Sequence, residues 1–386
     1  MTFDWNPVSV FIILFLLFGL VNGLINYFSI RRFDQYPISI HFPRVSILVP
    51  ARNEALNIEA CLTSLLNQDY PDFEVIVLDD QSTDETRQII ERLARSNEHL
   101  LVLDGTVLPE GWLGKHWACH QLYLASSGDL MLFTDADTTH APDMLRASVS
   151  ALFHEKADLI TGFPQEEVVS MGEKLIVPII GFGIFTFIPI PLVQKLRLSA
   201  LSITIGQFML FRREAYQAIG GFESVKSEVV DDMCLGRNII NNGLEWRFLD
   251  GTRHVSCRMY HNFWDSVSGF SKSLFAVFDY RILPYLGGWF LVGVVFVEPV
   301  ISLVSRWMGY PLTSMSGEAA ALGVGLSIII WMIAYKRFKF PPYMVFFYPL
   351  SIIIFIMIAV RSFFQTIRGT TTWKDRAIEK EAVRWL

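Results

Sequence analysis

Two aspartates, Asp135 and Asp137, follow directly after the apolar run LMLF, residues 130–133. Carboxylates this close repel each other unless a positive charge or hydrogen-bond donors offset the repulsion. A solvent-exposed turn would explain them, because Asp is common in turns. A bound divalent cation would also explain them, because Mg²⁺ and Mn²⁺ prefer oxygen ligands and are often held by one or two carboxylates together with substrate phosphates.

Two other acidic pairs and one lysine are further candidates for chemistry. Asp79 and Asp80 end the run FEVIVLDD, where their carboxylates could accept hydrogen bonds. Asp231 and Asp232 lie in VVDDMCLGR, where a carboxylate could act as a general base or could simply begin a helix. Lys115, in GKHWA, carries a positive charge that could be functional, although a single lysine is more often a surface residue.

The histidines and cysteines predict no metal site of their own. His116 and His120 are four residues apart, but no third ligand or HExxH motif follows, so we predict that both occupy helix-surface or core positions. The four cysteines lie far apart without a C-x-x-C pair, which argues against a zinc knuckle or a disulfide framework. A net charge of −6 provides no basic field for nucleic acid.

Short apolar runs that end in turns or charges predict the elements that position these residues. VSILVPA (residues 45–51), FEVIVLDD (73–80), LLVLD (100–104) and LMLFTDAD (130–137) are predicted strands, and residues 53–68 carry apolar residues at helical spacing. This alternation predicts an α/β fold with a mostly parallel sheet that is buried on both faces. Because ligands bind beyond the carboxyl ends of parallel strands, the acids at the ends of these runs are expected to share one site.

The composition also predicts membrane segments. Hydrophobic residues make up 52% of the 386-residue chain and the mean hydropathy is +0.37, which is too apolar for a soluble enzyme of this size. Residues 1–32 are predicted to form an N-terminal transmembrane anchor, built on the apolar run from Val8 to Phe28. Arg31 and Arg32 follow that run, so the positive-inside rule predicts that the next domain, residues 44–280, is cytosolic.

The second half of the chain contains further apolar runs. Residues 281–364 are predicted to form two to three C-terminal membrane segments, followed by a polar tail, residues 365–386. Pro349 lies within the last run and predicts a kinked segment or a re-entrant hairpin. Inside the globular part, residues 175–193 are apolar nearly all round but contain three prolines, which favours a broken segment in the membrane interface over a clean crossing, with buried core as the alternative.

The motifs VPARNEALNI and VIVLDDQSTDET resemble the nucleotide-sugar half of family-two glycosyltransferases, which have a GT-A fold. The resemblance implies a Rossmann-like catalytic domain that binds a UDP-sugar. Its donor-binding residues would be Pro50, Arg52, Glu54, Asp79, Asp80, Ser82, Lys115 and Asp135. Asp135 and Asp137 match the family's D-x-D motif, which implies that Asp137, with Asp135, ligates Mg²⁺ or Mn²⁺ as the cofactor.

The resemblance extends to the residues that would perform the transfer. In EVVDDMCLGR, Asp231 stands where the family commonly has Glu, and Asp232 takes the position of the catalytic base of an inverting transferase. The Q-x-x-R-W motif of processive polysaccharide synthases is missing. Instead, RMY and GFSK resemble the membrane-bound branch that glycosylates carotenoid acids and is associated with hopanoid genes, and TTWKDR resembles that branch's W-K-G-R tail, with Asp375 in place of the glycine. Possible phosphate or acceptor contacts are Arg258, Lys272, Trp373, Lys374 and Arg376.

These patterns predict an integral protein of the plasma membrane whose cytoplasmic domain moves a hexose from a UDP-sugar to a lipid acceptor in the bilayer. A carotenoid, a hopanoid or another glycolipid precursor is the expected acceptor. Two alternatives stay open: a polyprenyl-phosphate sugar transferase, which Arg258 and Lys272 would suit, and a catalytically inactive membrane scaffold. A scaffold should have lost at least one of Asp80, Asp137 and Asp232, yet all three are present. A transporter is disfavoured because the apolar runs contain few ionisable residues.

Overall fold

The computed structural model describes residues 6–373, 376–377 and 383–385, which fall into two compact units. The sheet unit comprises Ile30–Glu167 and Ile190–Met259. The helical unit comprises the described residues of Met1–Ser29, Val168–Pro189 and Tyr260–Leu386. Residues 260–280, which the sequence assigned to the catalytic domain, therefore belong to the helical unit. Their helix packs there on other apolar helices, as the Phe270 and Phe355 rings show at a centroid distance of 5.4 Å.

The sheet unit alternates strands and helices through most of its length. Its strands are β1 (Val45–Ala51), β2 (Phe73–Asp79), β3 (Leu100–Asp104), β4 (Leu130–Phe133), β5 (Thr138–His140), β6 (Leu159–Phe163), β7 (Gln165–Glu166), β8 (Met209–Arg212), β9 (Trp246–Asp250) and β10 (Val255–Cys257). Its helices are α2 (Ile58–Leu66), α3 (Thr86–Ala94), α4 (Gly114–Ala125), α5 (Met144–His154), α8 (Ile190–Leu196), α9 (Arg213–Ala218) and α10 (Asp231–Asn241).

Seven strands form one sheet in the order β3-β2-β1-β4-β8-β6-β9. The pairs β3-β2, β2-β1 and β1-β4 are parallel, β8 is antiparallel to both of its neighbours, and β6 is parallel to β9. A smaller sheet has the order β5-β10-β7. The predicted α/β fold with a mostly parallel sheet is confirmed.

Continuous apolar runs form these strands because the sheet is covered by helices on both faces. In β1, Val45, Ile47, Leu48 and Val49 are all fully buried. On one side they pack with apolar residues of α2, including Ile58 and Leu62, in a single core. Helix α2 begins five residues later than the predicted helix, because residues 52–55 form a turn that is held by hydrogen bonds to residues 82–86.

The helical unit contains α1 (Pro7–Ser29), α6 (Met171–Ile176), α7 (Pro178–Phe187), α11 (Phe263–Ser273), α12 (Ile282–Trp307), α13 (Gly317–Arg337) and α14 (Tyr348–Arg368), with two short strands β11 (Thr372–Trp373) and β12 (Arg376–Ala377). Among the described residues, four helical segments are long and apolar enough to cross a membrane: Pro7–Ser29, Ile282–Trp307, Gly317–Arg337 and Pro342–Arg368. The chain thus has the apolar helices near both ends that its composition predicts.

The predicted kink or hairpin at Pro349 is wrong. Residues 342–347 form a short 3₁₀ helix, and Pro349 lies in the first turn of α14, where a residue without an N–H breaks no helical hydrogen bond. The proline inside a long helix is instead Pro299, in α12.

Two asparagine side chains of α1 hydrogen-bond the backbone carbonyl groups at the end of the apolar stretch 171–187. Asn26 Nδ2 donates to the carbonyl oxygens of Phe185 and Ile188, at 2.7 and 2.8 Å, and Asn22 Nδ2 donates to Thr186 O at 2.9 Å. Carbonyls at a helix end have no intrahelical partner, and an apolar environment offers no water. These asparagines therefore allow α7 to end within an apolar environment. The predicted interfacial position of residues 175–193 stays a prediction.

Candidate active site

The topology brings the candidate residues to one edge of the large sheet. Asp79 ends β2, and the loop with Asp135 and Asp137 follows β4, at the carboxyl ends of two parallel strands. Because β8 runs antiparallel to β4, with Met209 opposite Phe133, the residues before β8 lie at this same edge. Glu166 follows β6, which is parallel to β4, and thus also reaches it. The expected clustering at the carboxyl edge is met.

The turns after β1 and β2 hold each other through a set of hydrogen bonds. Arg52 Nη1 donates to Asp80 O at 2.5 Å, Asn53 N donates to Ser82 Oγ at 3.0 Å, and Thr83 N donates to Asn53 Oδ1 at 2.8 Å. Asn53 and Gln81 both adopt left-handed backbone conformations, with φ of 52° and 58°. Left-handed residues other than glycine are uncommon and are found at sites where the surroundings fix the backbone.

These turns leave acceptor groups at the sheet edge. Asp79 and Asp80 are buried, and Asp79 Oδ1 has no hydrogen-bond partner among the described residues. Glu54 accepts from Asn57 Nδ2 at 3.1 Å, and Pro50 lies in β1 opposite Leu78. A buried carboxylate oxygen without a donor is costly, so it favours a ligand that supplies an N–H or O–H group.

Lys115 lies between two groups of acids. Its Nζ atom is 2.6 Å from Asp135 Oδ1. A β-carbon placed on Gly206 would be 3.6 Å from Lys115 Nζ and 3.3 Å from Asp232 Oδ2. The lysine therefore adjoins both the loop after β4 and the first turn of α10. Although burial disfavours its charge, the nearby carboxylates, Asp135 before Asp231, hold the pKa of Lys115 well above its ordinary value.

The first group, which we call the loop acids, consists of Asp135, Asp137 and Glu166. Burial, and then the charges of Asp135 and Glu54, raise the pKa of Asp137 to about 7. Burial, and then the charge of Asp137, raise the pKa of Glu166 to about 8. Asp137 Oδ1 and Glu166 Oε2 are buried and have no hydrogen-bond partner among the described residues.

Two uncharged side chains arrange the loop acids. Gln207 Nε2 is 3.2 Å from Glu166 Oε1 and 3.2 Å from Cys257 Sγ, and the Cys257 thiol hydrogen-bonds the Asp137 carboxylate. Gln207 precedes β8, whereas Cys257 ends β10, which pairs with β7. The small sheet thus carries Glu166 and Cys257 to the D-x-D loop.

The second group, the helix acids, consists of Asp231 and Asp232 in the first turn of α10. Asp232 Oδ2 accepts from Gly206 N at 2.9 Å, and Oδ1 accepts from Met233 N at 2.7 Å. Asp231 Oδ1 is 3.5 Å from His116 Nε2. Although burial disfavours its charge, His116 and then Lys115 hold the pKa of Asp231 down, at about 2. Burial and the adjacent Asp231 raise the pKa of Asp232 to about 7.

The loop acids suit a divalent cation that is completed by a substrate. Asp137 offers a buried oxygen without a partner, whereas one oxygen of Asp135 already contacts Lys115. Within the described ranges, no three His, Cys, Asp or Glu side chains are grouped so that they could hold a metal ion. A hard cation bound by one or two carboxylates would complete its coordination with phosphate oxygens and water. The residues present therefore fit Mg²⁺ or Mn²⁺ together with a diphosphate.

The remaining predicted contacts belong to several parts of the chain and stay predictions. Arg258 directly follows Cys257 in the sheet unit, but Lys272 lies in the last turn of α11, in the helical unit. Trp373 and Arg376 belong to the short strands β11 and β12, and Lys374 lies outside the described residues.

The sequence analysis missed four residues of the site. His116 was predicted to occupy a helix-surface or satisfied core position, and it is buried, but its contact with Asp231 was not foreseen. Glu166, Gln207 and Cys257 carried no motif. For His116, a usable signal was its place directly after Lys115.

The family assignment agrees with this geometry. Residues 46–220 match the family described as Glycosyl transferase family 2. This range contains the turns after β1 and β2, Lys115, the D-x-D loop and Glu166. Residues 46–220 are thus similar to family-two glycosyltransferases, and the fold is of the GT-A class.

Relatives and a solved structure extend the comparison over most of the chain. The 4,4'-diaponeurosporenoate glycosyltransferase of Staphylococcus aureus (strain MRSA252) is 23% identical over 373 residues, which cover 89% of this chain and 91% of that protein. The beta-monoglucosyldiacylglycerol synthase of Nostoc sp. (strain PCC 7120 / SAG 25.82 / UTEX 2576) is 36% identical over 135 residues, 34% of this chain and 28% of that protein. The fold is also that of the mannosyltransferase PcManGT from Pyrobaculum calidifontis, solved in complex with GDP-Man and Mn²⁺, with a TM-score of 0.52 and 18% identity over 92% of this chain and 99% of that one.

Proposed function

We propose that this chain is an inverting, metal-dependent hexosyltransferase that moves a sugar from a UDP-sugar to a hydroxyl or carboxyl group of a membrane lipid. The observation that carries the proposal is the position of Lys115, whose Nζ atom adjoins both Asp135 and the Gly206–Asp232 contact. One cation thus lies where a leaving diphosphate would meet the D-x-D loop and the base that activates the acceptor.

Each acid suits one task in a single displacement. Asp232, with a pKa of about 7, can accept the proton of an acceptor hydroxyl while that oxygen bonds to the anomeric carbon and the carbon–phosphate oxygen bond breaks. Lys115 would stabilise the negative charge on the departing UDP. Asp137, with Asp135, would hold the divalent cation, which supplies further positive charge to the diphosphate when bound.

The turns after β1 and β2 are the proposed nucleoside site. Asp79 and Asp80 offer buried acceptors for the uracil imide and the ribose hydroxyls, and Pro50, Arg52, Glu54 and Ser82 would line the same pocket. PcManGT shares this fold and was solved with GDP-Man. A GDP-sugar should therefore be tested as a donor beside the UDP-sugars.

A lipid acceptor is supported by the relatives and by composition. The relative that covers 89% of the chain is named for a carotenoid acid, and the shorter match is named for a diacylglycerol lipid. Apolar helices precede and follow the family-two domain, and Arg31 and Arg32 after the first one favour a cytoplasmic catalytic domain at the plasma membrane.

The test is transfer of label by membranes that contain the full chain. UDP-glucose, UDP-galactose, UDP-N-acetylglucosamine and GDP-mannose, each radiolabelled, are incubated with Mn²⁺ or Mg²⁺ and then extracted into organic solvent. Label from a UDP-sugar in a neutral or acidic lipid is expected. Label only in polyprenyl phosphate would move the assignment to the alternative acceptor. No transfer from any donor would contradict the proposal.

The Asp232→Asn variant then distinguishes the two acceptor groups. A hydroxyl acceptor must lose a proton, so the variant should abolish transfer to it. A carboxylate is already ionised at neutral pH and needs no base, so transfer to a carotenoid acid should survive in part. Equal survival with hydroxyl lipids would remove Asp232 from the role of base.

A further inference from the structure

His116 lies between two oxygen acceptors. It is 3% exposed, its Nδ1 atom is 3.1 Å from Lys226 O, and its Nε2 atom is 3.5 Å from Asp231 Oδ1. A neutral imidazole has one N–H donor and one nitrogen lone pair, so one of these contacts would point a lone pair at an oxygen. The doubly protonated ring donates a hydrogen on both sides. Hydrogens on both nitrogens would therefore satisfy both of the oxygens that the ring faces.

The rest of the environment fixes the ring in this position. One side of the ring packs against Phe222, with centroids 5.8 Å apart. His120, one turn further along α4, contacts Trp112 and Trp117 instead. The two histidines thus lie on one helix, and only the first contacts the helix acids.

The helix acids are chemically adjacent but unlike. Asp231 Oδ1 faces His116, whereas both oxygens of Asp232 face backbone amides and one lies close to Lys115. Other charged or titratable groups also act around this pair: Lys115 and Cys119 on α4, Asp135 beyond Lys115, Glu228 before α10, and Cys234 and Arg237 on α10. Of these groups, Lys115 adjoins both the helix acids and Asp135. His116, by contrast, contacts Asp231.

We propose that His116, as an imidazolium, keeps Asp231 ionised and fixed in place, so that Asp232 is the acid of the pair that exchanges a proton with the acceptor. His116 is then a positioning residue that acts through Asp231. The proposal rests on the proposed function, because it takes Asp232 as the base.

The charges predict opposite effects for the two partners. Loss of the His116 cation should raise the pKa values of the helix acids, because an adjacent positive charge favours their ionised forms. Loss of the Asp231 charge should lower the pKa of Asp232, because a like charge beside it disappears. In the proposal His116 carries its second proton because it faces the Asp231 carboxylate, so removing His116 should have no effect once Asp231 is neutral.

The experiment measures kcat/KM for the lipid acceptor against pH, with the full chain in detergent or nanodiscs. His116→Gln is expected to move the acid limb of the profile up by about one pH unit, and Asp231→Asn to move it down by a similar amount. The double variant should coincide with Asp231→Asn. An unchanged acid limb in His116→Gln, or the same displacement with and without Asp231, would overturn the proposal.

Two further variants separate charge from folding. His120→Gln, on the same helix, should leave the acid limb unchanged. His116→Lys retains a cation and should keep the acid limb near that of the unmodified protein even if its melting temperature falls; a Lys variant displaced as far as the Gln variant would contradict the proposal. Full activity of Asp232→Asn towards hydroxyl lipids would instead show that the proposed base is wrong, which is a different failure.

Discussion

The loop acids and the helix acids adjoin the same lysine but differ in how their charge is offset. The helix acids have His116, the Gly206 and Met233 amides and Lys115 around them. Among the loop acids, Lys115 contacts Asp135, while Gln207 and Cys257 hydrogen-bond Glu166 and Asp137 without bringing a positive charge. Asp137 Oδ1 and Glu166 Oε2 have no hydrogen-bond partner among the described residues.

The pKa values of Asp137 and Glu166 are both raised, whereas the helix acids divide: the pKa of Asp231 is lowered and that of Asp232 is raised to about 7. One oxygen of the helix acids, Asp231 Oδ2, also has no hydrogen-bond partner among the described residues. The groups therefore differ chiefly in the cation beside Asp231, and the lack of one beside Asp137 and Glu166 within the described ranges supports the proposal that a divalent cation binds there with the substrate.

Removing one acid from each group should give the largest effects and should separate their roles. Asp137→Asn and Asp232→Asn are each expected to lower kcat for a hydroxyl acceptor by roughly 10³-fold. Only Asp137→Asn should also lose the dependence of UDP affinity on divalent cation, which isothermal titration with UDP and Mn²⁺ would measure. If Asp232→Asn lost it too, the two groups would form one site and the comparison would fail.

Lys115 is the link between the groups, and its loss should rank next. Lys115→Met keeps most of the side-chain length but removes the charge, so transfer is expected to fall about 10²-fold. Because the lost charge also favours the ionised form of Asp232, the acid limb of the pH profile should move upward. Lys156→Met, an exposed lysine in the turn between α5 and the start of β6, is the matched control and should change neither quantity. An Lys115→Met enzyme with unchanged kcat would show that the leaving group is stabilised elsewhere.

The two groups also differ in how far the sequence predicted them. Strands β1 and β3 begin and end where the apolar runs do, and the rule for parallel strands placed Asp79 and Asp137 at one edge. Glu166 and Cys257 reach that edge through β7 and β10, strands of two and three residues that pair across long sequence separations. Such pairing leaves no local periodicity. His116 was missed because its partner Asp231 is remote in sequence, and only the fold brings them together.

In the absence of divalent cation, Glu166→Gln should increase the free energy of unfolding. The increase should become larger as the pH rises. Since the folded protein raises the pKa of Glu166 from its ordinary value of 4.5 to about 8, its protonated form favours folding, and this advantage is lost as the pH rises through that range. The Gln variant stays neutral, so its gain in unfolding free energy should be small near pH 5 and reach a few kcal/mol, ~4 at most, near pH 9. Thermal unfolding in detergent at several pH values would measure it. A gain that does not change with pH would mean that packing, not charge, is responsible.

The smallest effect is expected for a residue of the nucleoside site that orders the backbone of its turns. Asp84 accepts from Ala55 N at 3.1 Å and from Thr86 N at 3.0 Å, so it ties the turn after β1 to the start of α3. Asp84→Ala should cost about 1 kcal/mol of stability and raise the KM for the donor a few-fold, with kcat at saturating donor unchanged. Asp84→Asn retains an acceptor oxygen and should lose less. A large fall in kcat for Asp84→Ala would mean that this turn contributes to the transition state, and the distinction between residues that order the site and residues that supply its charge would have to be redrawn.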